Sequence, residues 1–336
     1  MAKNGIKFFF IFRMISDKIS LLPKGADTLM KKLLCLIMAI FLIFIISGCE
    51  NPDTETQKEL QIVAVSFPEY DFARAVAGET ADIKMLIPPG GETHGYEPTV
   101  SDIKAVNNCD LFIYNGGESD TWVESLLSSV NNKNLVTLSM TDSAANLCET
   151  EEEHNHDHDK FTFDEHVWTS PKNAISIVNA IKDTLSEIDV ENKNTFETNS
   201  KAYCEKLTEL DKNIRTITEN ANRHTIVFGD RFPLTYFAEE YKLEHLAAFS
   251  GCSEDTEASA STIASLIDYV KENHIPVVFI NELSNTAIAE QIAKETGADV
   301  LTFYSCHKVS KDDFGNGLTY IDIMSRNIEN LKTALN

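Results

Sequence analysis

Positive charge is scarce in this 336-residue chain: 29 Lys and Arg stand against 52 Asp and Glu, a net of −23. That balance excludes an ordinary nucleic-acid binder, which needs a basic footprint to meet phosphate. It favours cations over anions near the surface. Long apolar runs are also missing. The longest, Leu33–Ile46, has 14 residues, short of the roughly 20 that a permanent membrane helix needs. No repeat of short period is present, and neither is a His-Glu-x-x-His helix or another hydrolase signature. Cysteines are few and unevenly placed. Of seven, Cys35 lies in the apolar run and Cys49 closes it. Cys109, Cys148, Cys204, Cys252 and Cys306 remain, an odd number, so at least one is expected to be unpaired, metal-bound or reactive.

The N-terminal region reads as an export signal. Met30-Lys31-Lys32 precedes the apolar run, and Ile46-Ser47-Gly48-Cys49 follows it like a bacterial lipobox, with Cys49 as the lipidated first mature residue. Residues 1–48 are read as the signal region, with Met30 a better start than Met1, and 50–59 as a polar tether. Residues 49–336 then carry 22 Lys and Arg against 50 Asp and Glu, a net of −28. The expected location is extracytoplasmic, on the cell membrane through a lipid anchor, as a monomer.

Beyond the tether, apolar strands alternate with helices. Strands are expected at Gln61–Ser66, Asp82–Ile87, Leu111–Asn115 and Leu135–Leu138, with helices at Tyr70–Ala77, from Thr99 to Val106, and at Trp122–Val130. Such alternation predicts a parallel sheet with helices on both faces. From Pro171 the chain turns helical, over Lys172–Ile188 and then from about Val190 to Asn220. There Phe196, Tyr203, Leu207, Leu210, Ile214 and Ile217 follow at spacings of 7, 4, 3, 4 and 3, a single apolar stripe of helical period. Alternation resumes with strands at Thr225–Gly229, His245–Phe249, Pro276–Ile280 and Asp299–Phe303, and helices between and after them. The predicted fold class is α/β: two parallel-sheet lobes, 60–189 and 223–336, joined by a long linking helix over 190–222, with the site in the cleft between lobes.

Histidine is concentrated in one place. His154, His156, His158 and His166 are four of the chain's nine, and the first three alternate with Asn and Asp in the acidic loop 151–160. Imidazole is the commonest protein ligand for zinc-like ions. In parallel α/β sheets, ligands bind beyond the carboxyl ends of the strands. Three histidines occupy such places: His94 in the Gly-rich PPGGETHGYEPT, His166 in DEHVW, and His307 after the last strand.

PPGGETHGYEPT and DEHVWTSPKNA resemble the two first-lobe ligand motifs of the zinc- and manganese-binding lipoproteins that serve ABC transporters, the second usually Asp-Pro-His-Val-Trp. The lipobox, two lobes and long helix are similar too, so the resemblance covers essentially the whole chain beyond Cys49. It implies that His94 and His166 bind metal, that the cargo is Zn(2+) with Mn(2+) as the alternative, and that the partner is an ABC permease. The second lobe departs from the pattern. Where the family carries Val-Phe-His-Asp, this chain has Val227-Phe228-Gly229-Asp230, and Gly229 has no side chain to coordinate. His307 falls on the family's last ligand position. Cys252 is the expected fourth ligand, with Asp230 or water as the alternatives. In a competing arrangement Cys252 pairs with Cys306 as a disulfide, both being expected at the same end of neighbouring strands. Cys306 is itself an alternative ligand. Nitrogen and sulfur donors favour zinc over manganese, and the auxiliary loop of His154, His156 and His158 would concentrate the metal. Two other functions compete: a zinc hydrolase with Glu165 or Asp230 as base, and a carrier of a metal chelate. Capture without catalysis is the expected function.

Overall fold

The computed structural model describes residues 59–148, 163–249 and 258–336. The signal region, Cys49, nearly all of the tether, His154, His156, His158 and Cys252 lie outside the described residues.

The first sheet is built from β1 (Leu60–Ala64), β2 (Ala81–Met85), β3 (Leu111–Tyr114) and β4 (Val136–Ser139). All pair in parallel, in the order β2-β1-β3-β4. Its helices are α1 (Phe67–Ala77), α2 (Val100–Asn108), α3 (Trp122–Ser128), the single turn α4 (Met140–Ser143), and α5 (Pro171–Ile188). Then α6 (Lys193–Glu219) leads into the second sheet. That sheet comprises β5 (Thr225–Phe228), β6 (Glu244–Ala247), β7 (Val277–Asn281) and β8 (Asp299–Phe303), again all parallel, in the order β6-β5-β7-β8. Around it lie α7 (Thr235–Tyr241), α8 (Ala260–Glu272), α9 (Ala287–Thr296), α10 (Lys311–Gly315) and α11 (Tyr320–Leu335). Two strand orders of the same plan make two lobes, as the alternation of elements implied.

Strand side chains alternate between faces, and the alternation decides which core each joins. In the first lobe Ile62, Leu111 and Ile113 enter a large central core, while Val63 and Phe112 face a smaller one under α2 and α3. In the second, Ile226, Phe228, Val277 and Phe279 enter the same central core, and Val227 and Val278 face α8 and α9. The central core is therefore continuous between lobes. Helix α6 supplies much of it through Phe196, Tyr203, Leu207, Leu210 and Ile214. Its buried stripe closes on Thr218, one residue past the expected Ile217, which packs at the edge. At 1.5 Å per residue its 27 residues span about 40 Å.

Helix starts follow local chemistry. Ser66 and Glu69 form a reciprocal capping box that begins α1 at Phe67, three residues before the apolar pattern suggested. Thr99 with Asp102 begins α2, and Thr319 with Asp322 begins α11. Ser170 caps α5, and Pro171 occupies its first turn. No helix among the described residues is long and apolar enough to cross a membrane.

One expectation about the second lobe is corrected here. β6 and β8 are not neighbours but the two edges of the sheet, with β5 and β7 between them. Loops following them therefore start about 14 Å apart, three strand spacings. Cys306 carries a free, buried thiol, 3.9 Å from the Tyr320 carbonyl oxygen, within the central core. Burial drives its pKa well above the ordinary thiol value. Cys306 is thus packed in the central core with its thiol free, at a turn of left-handed backbone (φ 60°).

Candidate metal site

His94, His166 and His307 converge. Each offers a ring nitrogen, and the three atoms lie within 4.8 Å of one another. The ring centroids are 5.1 Å apart for His94–His307 and for His166–His307, and 6.1 Å apart for His94–His166. A tetrahedral zinc with bonds of 2.0–2.1 Å wants its nitrogens about 3.3 Å apart, so a contraction of at most about 1.5 Å would bring them to ligand spacing.

Each histidine is delivered differently. His94 sits in the long loop from β2 to α2, which turns at Gly90 and Gly95, both with positive φ. The loop exit is fixed by Tyr96, whose hydroxyl donates to Asp102 at 2.9 Å. His166 lies just before α5. Its backbone N–H and its Nδ1 both reach Asp164 Oδ1 at 2.8 Å. Asp164 is in turn held from the second lobe, by the Thr235 hydroxyl at 2.8 Å and by the Tyr236 hydroxyl on its carbonyl at 2.5 Å. Burial alone would raise the Asp164 pKa, but the charge of His166 and these hydrogen bonds outweigh it and hold the carboxyl at about 2. His307 follows β8 on a loop that Glu282 clamps. The Glu282 carboxylate accepts from Ser305 N at 2.7 Å, Ser305 Oγ at 2.9 Å and Lys308 N at 3.1 Å.

Burial lowers the pKa of His94, opposed by the nearby Glu165 carboxylate. It lowers that of His307 further, aided by His166, His94 and Lys308. Both rings are thereby kept neutral, the form that ligates metal. The rim of the site crosses the lobes: Lys308 Nζ pairs with Glu92, and the Thr93 hydroxyl is hydrogen-bonded to His307 Nε2. Trp168 stacks edge-on against His307 and donates its indole N–H to the Ser305 carbonyl at 2.9 Å.

Asp230 is buried beside the site, but it accepts from Asn281 N at 2.9 Å, Asn281 Nδ2 at 3.1 Å and Arg231 N at 2.8 Å. Gly229 is more than a lost ligand. A Cβ there would lie 2.5 Å from Ala289 Cα, because the start of α9 packs directly on the strand end. No side chain fits without moving that helix. A cavity of about 400 Å³ opens on the second-lobe side, with His94, His307, Asp230, Arg231 and Phe249 in its wall. Sequence reasoning missed the roles of the carboxylates that hold the loops: Asp164 stands inside the DEHVW motif without an expected role, and nothing in local pattern distinguishes the buried Glu282 from a surface acid.

Two parallel-sheet lobes, a long shared helix and a histidine cluster in the cleft define a two-lobed α/β metal-binding protein. The comparisons agree and are more specific: the chain belongs to the zinc-uptake complex component A (ZnuA) family, whose profile matches residues 62–334. Similar proteins include the zinc-binding lipoprotein AdcA of Streptococcus pneumoniae, 34% identical over 308 residues, covering 90% of this chain and 61% of AdcA. The chain thus spans about three fifths of AdcA. The high-affinity zinc uptake system protein ZnuA of Bacillus subtilis is 33% identical, with 90% of this chain and 97% of that one covered. Among solved structures, the Zn(II)-bound ZnuA-like domain of S. pneumoniae AdcA superposes with a TM-score of 0.68, 33% identity and coverage of 82% and 99%. The B. subtilis metal-dependent lipoprotein YcdH gives a TM-score of 0.71 at 33% identity, with the same 82% of this chain covered and 99% of that one.

Proposed function

We propose that this protein captures a divalent transition metal, zinc before manganese, outside the cytoplasm and presents it to an ABC permease for import. The convergence of three imidazole nitrogens within 4.8 Å carries the reading. A set of nitrogen and sulfur donors suits zinc, whereas manganese prefers carboxylate oxygen. Names of the relatives add support, since AdcA and ZnuA are called zinc-binding and zinc-uptake proteins. His94, His166 and His307 are the ligands. Cys252 is the fourth, with Asp230 or water as the alternatives. Phe249 lines the cavity beside the histidines, and three further residues reach up to about 10 Å. Cys306, buried in the core, is not among them. His154, His156 and His158 act as an antechamber, and Cys49 carries the lipid that keeps the monomeric protein at the membrane.

Capture without catalysis fits the acids nearby. A catalytic zinc needs an open position and a poised base. Asp230 is committed to Asn281, and Glu165 accepts from Ser119 N at 2.8 Å and Ser119 Oγ at 2.9 Å. The test is metal analysis and zinc titration of the purified protein. His94→Ala, His166→Ala and His307→Ala should each weaken zinc by more than about 100-fold, beyond what loss of a supporting group costs, and Cys252→Ser should weaken it less. Wild-type affinity in all three alanine variants, or hydrolysis of esters or peptides by the zinc-loaded protein, would overturn the proposal.

A further inference from the structure

Asp164 and Glu165 are adjacent in sequence, yet they face two different histidines. Asp164 takes the Nδ1–H of His166 at 2.8 Å. Glu165 Oε1 stands 3.6 Å from Nδ1 of His94, which belongs to another loop. At that distance the pair is a charge contact rather than a hydrogen bond. The opposite ring nitrogen, Nε2 of His94, is buried and has no hydrogen-bond partner. A buried imidazole nitrogen without a partner is costly unless something else uses its lone pair.

Much of the first lobe's carboxyl edge is arranged around Glu165. Its Oε2 is anchored by the backbone N–H and hydroxyl of Ser119. Its carbonyl accepts from Asn115 Nδ2 at 3.0 Å. Gly117 adopts φ 107°, and a Cβ there would meet Glu165 Cβ at 2.6 Å and Oε2 at 2.7 Å. Glycine at 117 is therefore what lets the carboxylate lie so close to the backbone. Asp120, on the same edge, is pushed to about 6 by burial and then by the charge of Glu165, against backbone hydrogen bonds that lower it. One oxygen of Glu165 is thus held by the protein, and the other is left for His94.

We infer that Glu165 is a positioning residue for the metal: it holds the proton of His94 on Nδ1 so that Nε2 presents its lone pair to the ion. This rests on the zinc-carrier reading above. Approach of a cation to Nε2 makes the Nδ1–H more acidic and draws it toward Glu165, closing 3.6 Å to hydrogen-bond length. The carboxylate also supplies a negative charge that offsets part of the ion's, which the three imidazoles cannot do. The two adjacent acids thereby orient two ligands from one short segment, locking the relative geometry of loops that are distant in sequence.

Zinc affinity by chelator competition, together with ¹⁵N-histidine spectra of the zinc-loaded protein, tests this. The His94 resonances are assigned by their loss in His94→Ala. Glu165→Gln keeps shape and acceptor but loses charge, and should weaken zinc by about 10-fold. Glu165→Leu loses both and should approach 100-fold, the range seen when partners of metal-bound histidines are removed. The wild-type spectrum should show His94 protonated at Nδ1 and coordinated through Nε2. Wild-type zinc affinity in Glu165→Gln, or coordination of His94 through Nδ1, would overturn the inference. If Glu165→Leu does not fold, Glu165→Gln and the spectrum decide by themselves. Unchanged zinc binding in His94→Ala, His166→Ala and His307→Ala alike would sink the carrier reading instead, so the two failures are separable.

Discussion

The chemistry proposed for this protein comes down to three imidazoles, two of which, His94 and His307, the fold biases toward the neutral form. His94 and His307 both have pKa values below the ordinary 6.5, burial being the largest cause. The unfolded chain therefore binds more protons than the native one as pH falls below about 6.5, and stability without metal declines with it. On the proposed ligand set, zinc competes with protons for the same nitrogens. Affinity should fall as pH drops from 7.5 to 5, with the share of the loss due to His94 and His307 setting in at a lower pH than for free imidazole. Chelator competition at pH 7.5, 6.5 and 5 checks this, and equal affinity at 7.5 and 5 would show that the histidines are not the ligands. Much of this was legible in sequence, because His94 and His166 each lie in a motif and His307 follows a strand. The density of histidine in the loop 151–160 pointed to the right region, but the solitary His166 beside Trp168 is the one that joins the site. The opposing acids were not legible. Whether Glu165 faces solvent or His94 depends on Ser119 and Gly117, which belong to another loop.

Among the elements, strands and helices mostly begin and end where their residues say. The apolar stripe of α6 and the buried strand β7 are carried by period and by β-branched composition. Departures occur where polar caps act, as with Ser66 and Glu69 at the start of α1. Gly229 at the end of β5 is the instructive case. By pattern it is an empty ligand position, and restoring a histidine would complete the site. The position of α9 argues otherwise, because any Cβ meets the Ala289 backbone. Gly229→His should lower the melting temperature by several degrees, as overpacking costing 1–3 kcal/mol would, without tightening zinc. A stable variant with higher zinc affinity would show that α9 yields and that the vacancy is real.

For the whole molecule, the question is how far two lobes joined by a common core can move. Asp71, fully buried, accepts from the Tyr203 hydroxyl at 2.6 Å and from Tyr320 N at 2.8 Å, and pairs with Arg74 at 2.6 Å. Tyr320 in turn donates to the Trp168 carbonyl at 2.6 Å. α1, α6, α11 and the segment carrying His166 are thus tied by one buried network, in a core that runs through both lobes. Wide hinge closure would have to break it. Hydrogen exchange should show zinc protecting the loops at 88–98, 164–170 and 304–309 while α6 and the sheets stay unchanged; protection spread over both lobes would contradict this. Sequence by itself determined the two α/β units, the long helix and the candidate histidines, because strand alternation, helical period and capping are local and repeat at short range. Only the tertiary structure decided which groups meet: the closing of three histidines from distant loops, the turning of Cys306 into the core, the separation of β6 from β8 and the aim of Glu165. Those depend on strand order and on the packing of one loop against another, and no local period records either.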